Sequence, residues 1–200
     1  MSAEKELTAS WAAIAKGETL DQESPQVAAF RELVVKHRER VYRVARQMVG
    51  SHEDADDVVQ EVFCRTFERL EQFRGDAALT TWLYRATVNA ALNHLRARNR
   101  RLQFLRRWVH RANRPALPSP HSKVEWDEMR EQVREAIEAL SPRLRAVVVL
   151  ADLEGLSAPE VARILQIPEG TVRSRLYAAR RQLRERLEPL FASDREGEAR

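Results

Sequence analysis

Apolar residues recur at steps of three and four along most of the chain, the spacing that places them on one face of an α-helix. The first such stripe comprises Phe30, Leu33, Val34, His37, Val41, Val44, Ala45 and Met48. Gly50 follows in the position that commonly ends a helix, and Ser51 can cap a second helix. The apolar positions of that second helix run from residue 55 to residue 70, and we expect it to stop near Phe73.

A third helix is predicted after a short loop. Thr80 or Thr81 can cap it, it begins at Trp82, and its helical pattern runs to about Arg107. The stretch at 113–122 holds three prolines, which block a helix and favour an extended linker. We therefore place the domain boundary in this stretch.

The second half of the sequence is predicted to be helical as well. Ser141 and Pro142 form a strong helix start, because serine caps a helix and proline suits its first position. The β-branched run at 147–149 would suit a strand by propensity alone, but this start and the closing Gly155 favour a buried helix.

A helix-turn-helix unit is predicted at the end of this half. Ser157 followed three residues later by Glu160 is a capping box, and it starts a helix at 158–165. A turn at 166–168 follows, and a last helix is expected from about Gly170 to Leu190. A short helix, a tight turn and a longer helix together define the unit.

These patterns predict an all-α protein, since the chain has six glycines and almost no alternation of polar and apolar residues of the kind that strands need. We expect two small helical domains joined by the proline-rich linker. The expected segments are a weakly structured N-terminal extension at 1–24, a first domain at 25–112, the linker at 113–125, a second domain at 126–191 and a disordered tail at 192–200.

The formal net charge of +4 conceals an uneven distribution of charge. Eight arginines and no acidic residue fall at 96–114, whereas seven acidic residues and two arginines fall at 51–71. Such separation is typical of a protein that faces more than one kind of partner. One cysteine, Cys64, leaves no internal disulfide framework or cysteine-based zinc site. The single cysteine fits a reducing setting, so we expect a cytoplasmic protein. The longest apolar run, at 146–151, is too short to cross a bilayer, so we expect no insertion in a membrane.

The last predicted helix has a cationic face beside its apolar one. The apolar wedge consists of Val172, Leu176, Ala179, Leu183 and Leu187, and the cationic face of Arg173, Ser174, Tyr177, Arg180, Arg181 and Arg184. Arginine can bind a guanine edge with two hydrogen bonds or hold a phosphate, and the amino end of the helix near Thr171 would enter the major groove. We expect DNA binding, the alternative being a solvated arginine face on an ordinary helical hairpin.

A second candidate surface lies on the helix that begins at Trp82. Residues spaced by three and four share an edge next to this tryptophan: Arg85, Asn89, Asn93 and Arg96. Asparagine can pair with adenine, arginine can hold a phosphate, and an aromatic ring can stack on a base. The preceding loop at 74–81 could form a pocket for an unstacked base. The alternative is a partly buried tryptophan on an ordinary charged helix.

The acidic second helix repels nucleic acid and suits a different partner. Asp57, Gln60 and Glu61 lie one turn apart on its exposed side, where a basic protein surface could dock. A merely solvated face is the alternative. An enzyme is not expected, because the five histidines have no metal-ligand spacing and the sequence has no glycine-rich phosphate loop. We therefore expect no metal, no cofactor and no small-molecule substrate.

Two sets of motifs occur in order along the chain. The first consists of Asp54-Ala55-Asp56-Asp57-Val58-Val59-Gln60-Glu61-Val62-Phe63, Phe73-Arg74-Gly75, Thr81-Trp82-Leu83 and Asn89. The second consists of Leu140-Ser141-Pro142, residues 156–162, residues 168–176 and Ala179-Arg180. Over about residues 28 to 187 these sets resemble the σ2 and σ4 domains, respectively, of the extracytoplasmic-function (ECF) sigma factors of bacterial RNA polymerase.

The resemblance implies a sigma factor that binds core RNA polymerase and directs it to promoters. The residues implied to dock on the clamp of the largest polymerase subunit are Asp57, Val58, Gln60, Glu61 and Phe63. Those implied to recognise and melt the −10 element are Arg74, Leu79, Thr80, Thr81, Trp82, Arg85, Asn89, Asn93 and Arg96. Those implied to read the −35 element are Thr171, Val172, Arg173, Ser174, Arg175, Tyr177, Arg180 and Arg181.

The resemblance also implies regulation in a stress or envelope response, because many members of the family are held inactive by an anti-sigma factor, often at the membrane. The implied partners are therefore core RNA polymerase, promoter DNA and an anti-sigma factor. A stand-alone helix-turn-helix transcriptional regulator is the alternative function. It would explain the cationic last helix but neither the acidic helix nor the surface at Trp82.

Overall fold

The computed structural model describes residues 25–69, 76–108 and 125–197, and every regular element in these ranges is helical, as predicted. The elements are α1 (Pro25–Val49), α2 (His52–Phe67), α3 (Asp76–Trp108), α4 (Glu125–Glu138), α5 (Pro142–Val148), a π-helical turn (Val149–Leu153), α6 (Ala158–Leu165) and α7 (Glu169–Gly197). We call α1 to α3 the N-terminal bundle and α4 to α7 the C-terminal unit.

The N-terminal bundle packs its three helices against one another around a dense apolar core. Its fully buried side chains include Val44, Met48, Val58, Val59, Val62, Phe63 and Val88. Phe30 meets Phe63 and Phe67 edge to face, with ring centroids 6.4 and 5.0 Å apart, an arrangement that aromatic pairs prefer. This core fixes which sides of α2 and α3 face outward.

The predicted join between α1 and α2 is confirmed. Gly50 has a φ of +87°, which favours glycine because it has no β-carbon. The Oγ atom of Ser51 accepts a hydrogen bond from the Asp54 amide at 3.1 Å, so the predicted cap is formed. Glu53 and Asp54 lie in the first turn of α2, where acidic side chains favour the positive end of the helix dipole.

The C-terminal unit confirms the predicted helix starts and adds a feature that the sequence did not predict. Pro142 begins α5, and the valines at 147–149 are buried and helical. The Glu154 amide donates to the Val149 carbonyl at 3.0 Å, a five-residue step that defines a π-helical turn. Gly155, with a φ of +70°, then redirects the chain toward α6.

Three predicted boundaries differ from the structure. Helix α2 ends at Phe67 rather than near Phe73, and α3 begins at Asp76 rather than at Trp82. Aspartate followed by two alanines is a good helix start, so this early start prevails over capping by the later threonines. Helix α7 continues past Leu190 to Gly197, so residues 192–197 are helical and not disordered as expected. Extending an existing helix needs no new nucleus, so its end can continue without an apolar stripe.

Some predictions fall on residues outside the described ranges. These are the N-terminal extension at 1–24, the site residue Arg74, most of the proline-rich linker at 113–125, and the last three residues of the tail.

The two halves of the chain pack on each other and share one core, which the sequence patterns did not indicate. Helix α3 contacts α6, and α1 contacts α4 and the π-helical turn. The buried guanidinium of Arg145 on α5 donates to the carbonyl of Met48 at the end of α1 and to that of Glu138. One arginine thus satisfies carbonyls at the ends of two helices that would otherwise lack partners.

Substitutions at glycine test the join between α1 and α2. A β-carbon on Gly50 would lie 2.7 Å from the Glu138 carboxylate, whereas one on Gly155 would meet nothing within 4 Å. We expect Gly155→Ala to lower the free energy of unfolding by about 1 kcal/mol, because only the positive φ opposes it. Gly50→Ala should lower it somewhat more, because the flexible Glu138 side chain must also move away from its pairs with Arg134 and Arg46. Gly170→Ala, in open helical space, should be neutral or slightly stabilising. Urea unfolding measures all three, and equal losses at Gly50 and Gly155 would contradict the steric account.

Candidate functional site

The exposed face of α7 presents a row of cations around a phenol. Its residues line a shallow groove of about 330 Å³: Arg173, Leu176, Tyr177, Arg180, Arg181 and Arg184. Val172 and Ala179 are fully buried on the opposite side and hold this face outward. Tyr177 is 73% exposed, so an aromatic ring projects from among the arginines.

Three of these arginines pair with acidic neighbours within the C-terminal unit, the loosest pair being Arg181 with Glu185 at 3.8 Å. Arg180 donates to Asp152 at 3.1 and 2.5 Å, and this hydrogen bond raises the pKa of the guanidinium. Arg173 pairs with Glu169 one turn earlier. Each of these cations is therefore oriented in the absence of a partner. A phosphate or base that binds the cation must first displace the carboxylate that holds it.

The remaining residues predicted for the −35 element lie in different surroundings. Val172 belongs to the core, Ser174 is exposed and donates to the Thr171 carbonyl at 3.1 Å, and Thr171 is half-buried. Arg175 lies on the other flank of α7, where it lines a cavity shared with α3. The predicted set thus divides between an outer face and a flank that faces the N-terminal bundle.

The candidate surface on α3 is also divided. Asn89, Asn93 and Arg96 are exposed, and Arg96 donates to the Asn93 side chain at 2.8 Å. Arg85 instead reaches the C-terminal unit, where it donates to the carbonyls of Arg163 at 2.8 Å and Ile164 at 3.2 Å. These carbonyls end α6, and a cation at a helix carboxyl end is favourable.

The start of α3 differs from the predicted pocket for a base. Residues 76–81 are helical rather than looped, so the described part of the segment forms no loop pocket. Leu79 is 8% exposed and belongs to the core. Thr80, Thr81 and Trp82 are half-buried.

The acidic helix α2 keeps a polar face toward solvent. Asp57 is exposed, Gln60 and Glu61 are partly exposed, and Glu61 pairs with Arg65 at 2.7 Å. Val58 and Phe63 are only 1% and 0% exposed. Both therefore hold α2 against the core and offer no surface to a partner in this structure.

Asp54 joins α2 to the basic part of α3. Its carboxylate pairs with His94 at 2.9 Å and with Arg98 at 3.1 Å. Burial on its own would raise the pKa of Asp54, but hydrogen bonds from Ser51, His94 and Arg98, together with the charge of His94, hold that pKa below its ordinary value of 3.8. The ion cluster fixes the orientation of the acidic helix relative to the cationic one.

Sequence reasoning missed a group of side chains between the two halves of the chain. The Glu154 side chain is 2% exposed, and its carboxylate accepts from Arg43 at 2.7 and 2.9 Å and from the Tyr84 hydroxyl at 2.9 Å. Burial, followed by the bond to Glu154, raises the pKa of Tyr84 to about 12. The partners lie 111 and 70 residues from Glu154, so no local pattern could have indicated them.

Other chemistry is sparse in the ranges that the structure describes. Burial and the charge of Glu68 raise the pKa of the half-buried Cys64 thiol. Within these ranges no three acidic, histidine or cysteine side chains are placed to hold a metal ion together. No described helix is long and apolar enough to span a membrane.

Comparison with known proteins identifies the family of the chain. Residues 33–101 match the family model described as Sigma-70 region 2, and residues 130–183 match Sigma-70, region 4. The chain is 36% identical over 170 residues to the RNA polymerase sigma-H factor of Pseudomonas aeruginosa, covering 82% of this chain and 88% of that protein. It is 37% identical over 170 residues to the ECF RNA polymerase sigma-E factor of Escherichia coli K12, with the same coverage.

Solved structures show the same fold. One is the sigma factor RpoE in complex with the anti-sigma factor NepR from Bartonella quintana, with a TM-score of 0.63 and 22% identity over 80% of this chain and 97% of that one. Another is CnrH in complex with the cytosolic domain of CnrY, with a TM-score of 0.57 and 23% identity over 92% of this chain and 97% of that one. The chain therefore belongs to the sigma-70 family of RNA polymerase sigma factors, and within it to the ECF type.

The Asp54 cluster generates a pH-dependent prediction. Because the pKa of Asp54 is lowered in the folded state, its stabilising effect is present above pH 3.8 and is lost as the pH falls through the folded value. We expect Asp54→Asn to lower the free energy of unfolding by about 1–2 kcal/mol at pH 7, with the difference from wild type shrinking between about pH 5 and pH 2. Denaturant unfolding across pH measures this, with the exposed Asp56→Asn as control. A loss independent of pH would refute the account.

Proposed function

We propose that this ECF sigma factor docks on core RNA polymerase with the acidic side of α2 and recognises promoter DNA with α3 and α7. The observation that carries the proposal is the separation of one acidic and two cationic faces on a single scaffold. A stand-alone regulator is not favoured, because matches to both region 2 and region 4 occur in order along the chain.

We assign polymerase docking to the exposed Asp57 and the partly exposed Gln60 and Glu61. Their helix is held rigidly by Val58 and Phe63 beneath it, so the carboxylates and the amide are presented in a fixed pattern. A fixed negative pattern suits a basic protein surface and steers its approach. In this assignment Val58 and Phe63 act by positioning α2.

We assign the −10 element to α3. Asn89, Asn93 and Arg96 supply exposed amide and guanidinium groups, which can bind base edges and phosphates. Trp82 is half-buried about two turns before Asn89 on the same helix. Its ring can stack on an unpaired base. Arg85 can join this surface once it leaves the carbonyls of α6.

We assign the −35 element to the outer face of α7. Helix α6, the tight turn at Gln166 and helix α7 have the form of a helix-turn-helix unit, which places its second helix in the major groove. Arg173, Arg180 and Arg181 can hold phosphates or guanine edges there. Tyr177 adds an exposed ring and hydroxyl to the same face.

We infer that this protein acts in the cytoplasm and has no catalytic activity of its own. We also infer that an anti-sigma factor controls it. One structural neighbour, the sigma factor RpoE from Bartonella quintana, is solved in complex with the anti-sigma factor NepR, which supports the inference here. We retain the two-domain division, with the N-terminal domain ending at 112 and the C-terminal domain beginning at 126, because the family matches fall on either side of this boundary.

Substitution of Arg173 tests the assignment of α7. We expect Arg173→Ala to reduce transcription from −35-dependent promoters by about tenfold, as the loss of one specific arginine contact costs about 1–3 kcal/mol. Association with core polymerase should not change. Run-off transcription and co-purification measure the two effects, with Arg186→Ala, an exposed arginine outside the groove, as control. Loss of polymerase association in Arg173→Ala would contradict the assignment.

Substitution of Asp57 tests the assignment of α2. We expect Asp57→Arg to weaken binding to core polymerase by about tenfold or more, because the substitution places a cation against a basic surface. Helical content should not change, because Asp57 is exposed. Glu32→Arg makes the same charge change at an exposed position on α1 and serves as the matched control. Normal association of Asp57→Arg with core polymerase would exclude docking through this face.

A further inference from the structure

The described structure brings together surfaces that promoter DNA would have to separate. Asn89 and Arg96 of α3 and Arg175 of α7 line one cavity of about 620 Å³ between the two halves. A helix with its side chains is about 10–12 Å across, so the outer face of α7 lies about one helix diameter beyond this cavity. The two candidate DNA-binding surfaces are therefore near neighbours.

The promoter elements are much farther apart. Elements named for positions about 25 base pairs apart lie on the order of 80 Å apart along B-form DNA, at about 3.4 Å per base pair. One arrangement of the chain cannot place α3 and α7 next to each other and also on both elements. Recognition of both elements therefore requires the C-terminal unit to move away from the N-terminal bundle.

The same packing occupies a side chain assigned to DNA. The guanidinium of Arg85 donates hydrogen bonds to the carbonyls of Arg163 and Ile164. Both carbonyls belong to the first helix of the helix-turn-helix unit. These two bonds use two of the five N–H donors of the guanidinium and hold the side chain against the end of α6. The closed arrangement thus restrains the position of one side chain of the −10 surface.

We propose that Glu154 is the latch of a closed, self-restrained form of this sigma factor. It is the point where one carboxylate of the C-terminal unit is held by two helices of the N-terminal bundle, through Arg43 on α1 and Tyr84 on α3. Its side chain is 2% exposed, and a buried carboxylate must keep such partners or return to water. Opening the two halves therefore has to break all three hydrogen bonds together.

The setting of Glu154 suits this role. It directly follows the π-helical turn and precedes Gly155, whose φ is +70°, so it lies at the corner where the chain leaves α5 for α6. Asp152, two residues earlier, turns instead toward Arg180 of its own unit. Glu154 thus makes a contact between the two halves, whereas the nearby Asp152 makes a contact within the C-terminal unit. Substitution of Asp152 therefore serves as a matched control for substitution of Glu154.

The closed form can be measured in the full chain without polymerase or DNA. Spin labels on Asp56→Cys and Arg186→Cys, both exposed positions on α2 and α7, in a Cys64→Ser background, report the distance between the halves. We expect one narrow population for the parent chain and for Asp152→Ala. Glu154→Ala should give a broader population with a mean at least one helix diameter longer, about 10 Å.

A second variant keeps the test decisive if Glu154→Ala fails to fold, which circular dichroism would show. Arg43 is half exposed, so Arg43→Gln removes the paired charge with little disturbance of the core, and it should open the chain in the same way. Unchanged distances in every folded variant that lacks Glu154 or Arg43 would overturn the proposal.

Binding to promoter duplex in the absence of polymerase tests the consequence for DNA, and this part rests on the proposed function. If the closed form outweighs the open form by about ten to one, Glu154→Ala should bind the duplex about tenfold more tightly, because the competent fraction rises. If a variant shows the longer distance between the halves but binds the duplex no more tightly, the claim that closure restrains DNA binding is overturned. The role of Glu154 in holding the two halves together would then still stand. Failure of the proposed function would appear separately, as absent transcription with core polymerase.

Discussion

The buried carboxylate of Glu154 is the constraint on which the arrangement of the two halves depends. A carboxylate removed from water is costly unless hydrogen-bond donors or an opposite charge surround it, and Arg43 and Tyr84 meet that need from two different helices. Arg145 adds a second link, capping carbonyls at the end of α1. Polar contacts of this kind give the shared core one defined register, whereas apolar contacts alone would allow several.

Charge is the means by which one small scaffold meets different partners. The acidic face of α2 and the cationic faces of α3 and α7 are kept apart by buried apolar residues on the opposite side of each helix. Where α2 meets α3, the acidic Asp54 pairs with the basic side chains of His94 and Arg98. This contact between opposite charges is made within the protein. The near balance of acidic and basic residues is thus a sum over surfaces with different roles.

Local structure was predictable to the extent that its causes are local. The cap at Ser51, the capping box of Glu160 and Ser157, and the proline start of α5 all depend on residues within one turn, and each was predicted. The start of α3 was misjudged because two plausible starts compete within six residues. The contact of Glu154 with Arg43 depends on tertiary packing across 111 residues, so no local pattern predicts it. Val58 and Phe63 belong to the motif implied to bind polymerase, yet both are buried. A motif match therefore does not tell surface residues from core residues.

The most direct test of the account is run-off transcription with purified core RNA polymerase and this chain on a library of promoter sequences. The account predicts specific transcripts only when both proteins are present, from templates that share two sequence elements, one centred near −10 and one near −35. No specific transcript under any condition, or specific binding to isolated promoter duplex at physiological salt with no effect on polymerase, would contradict it.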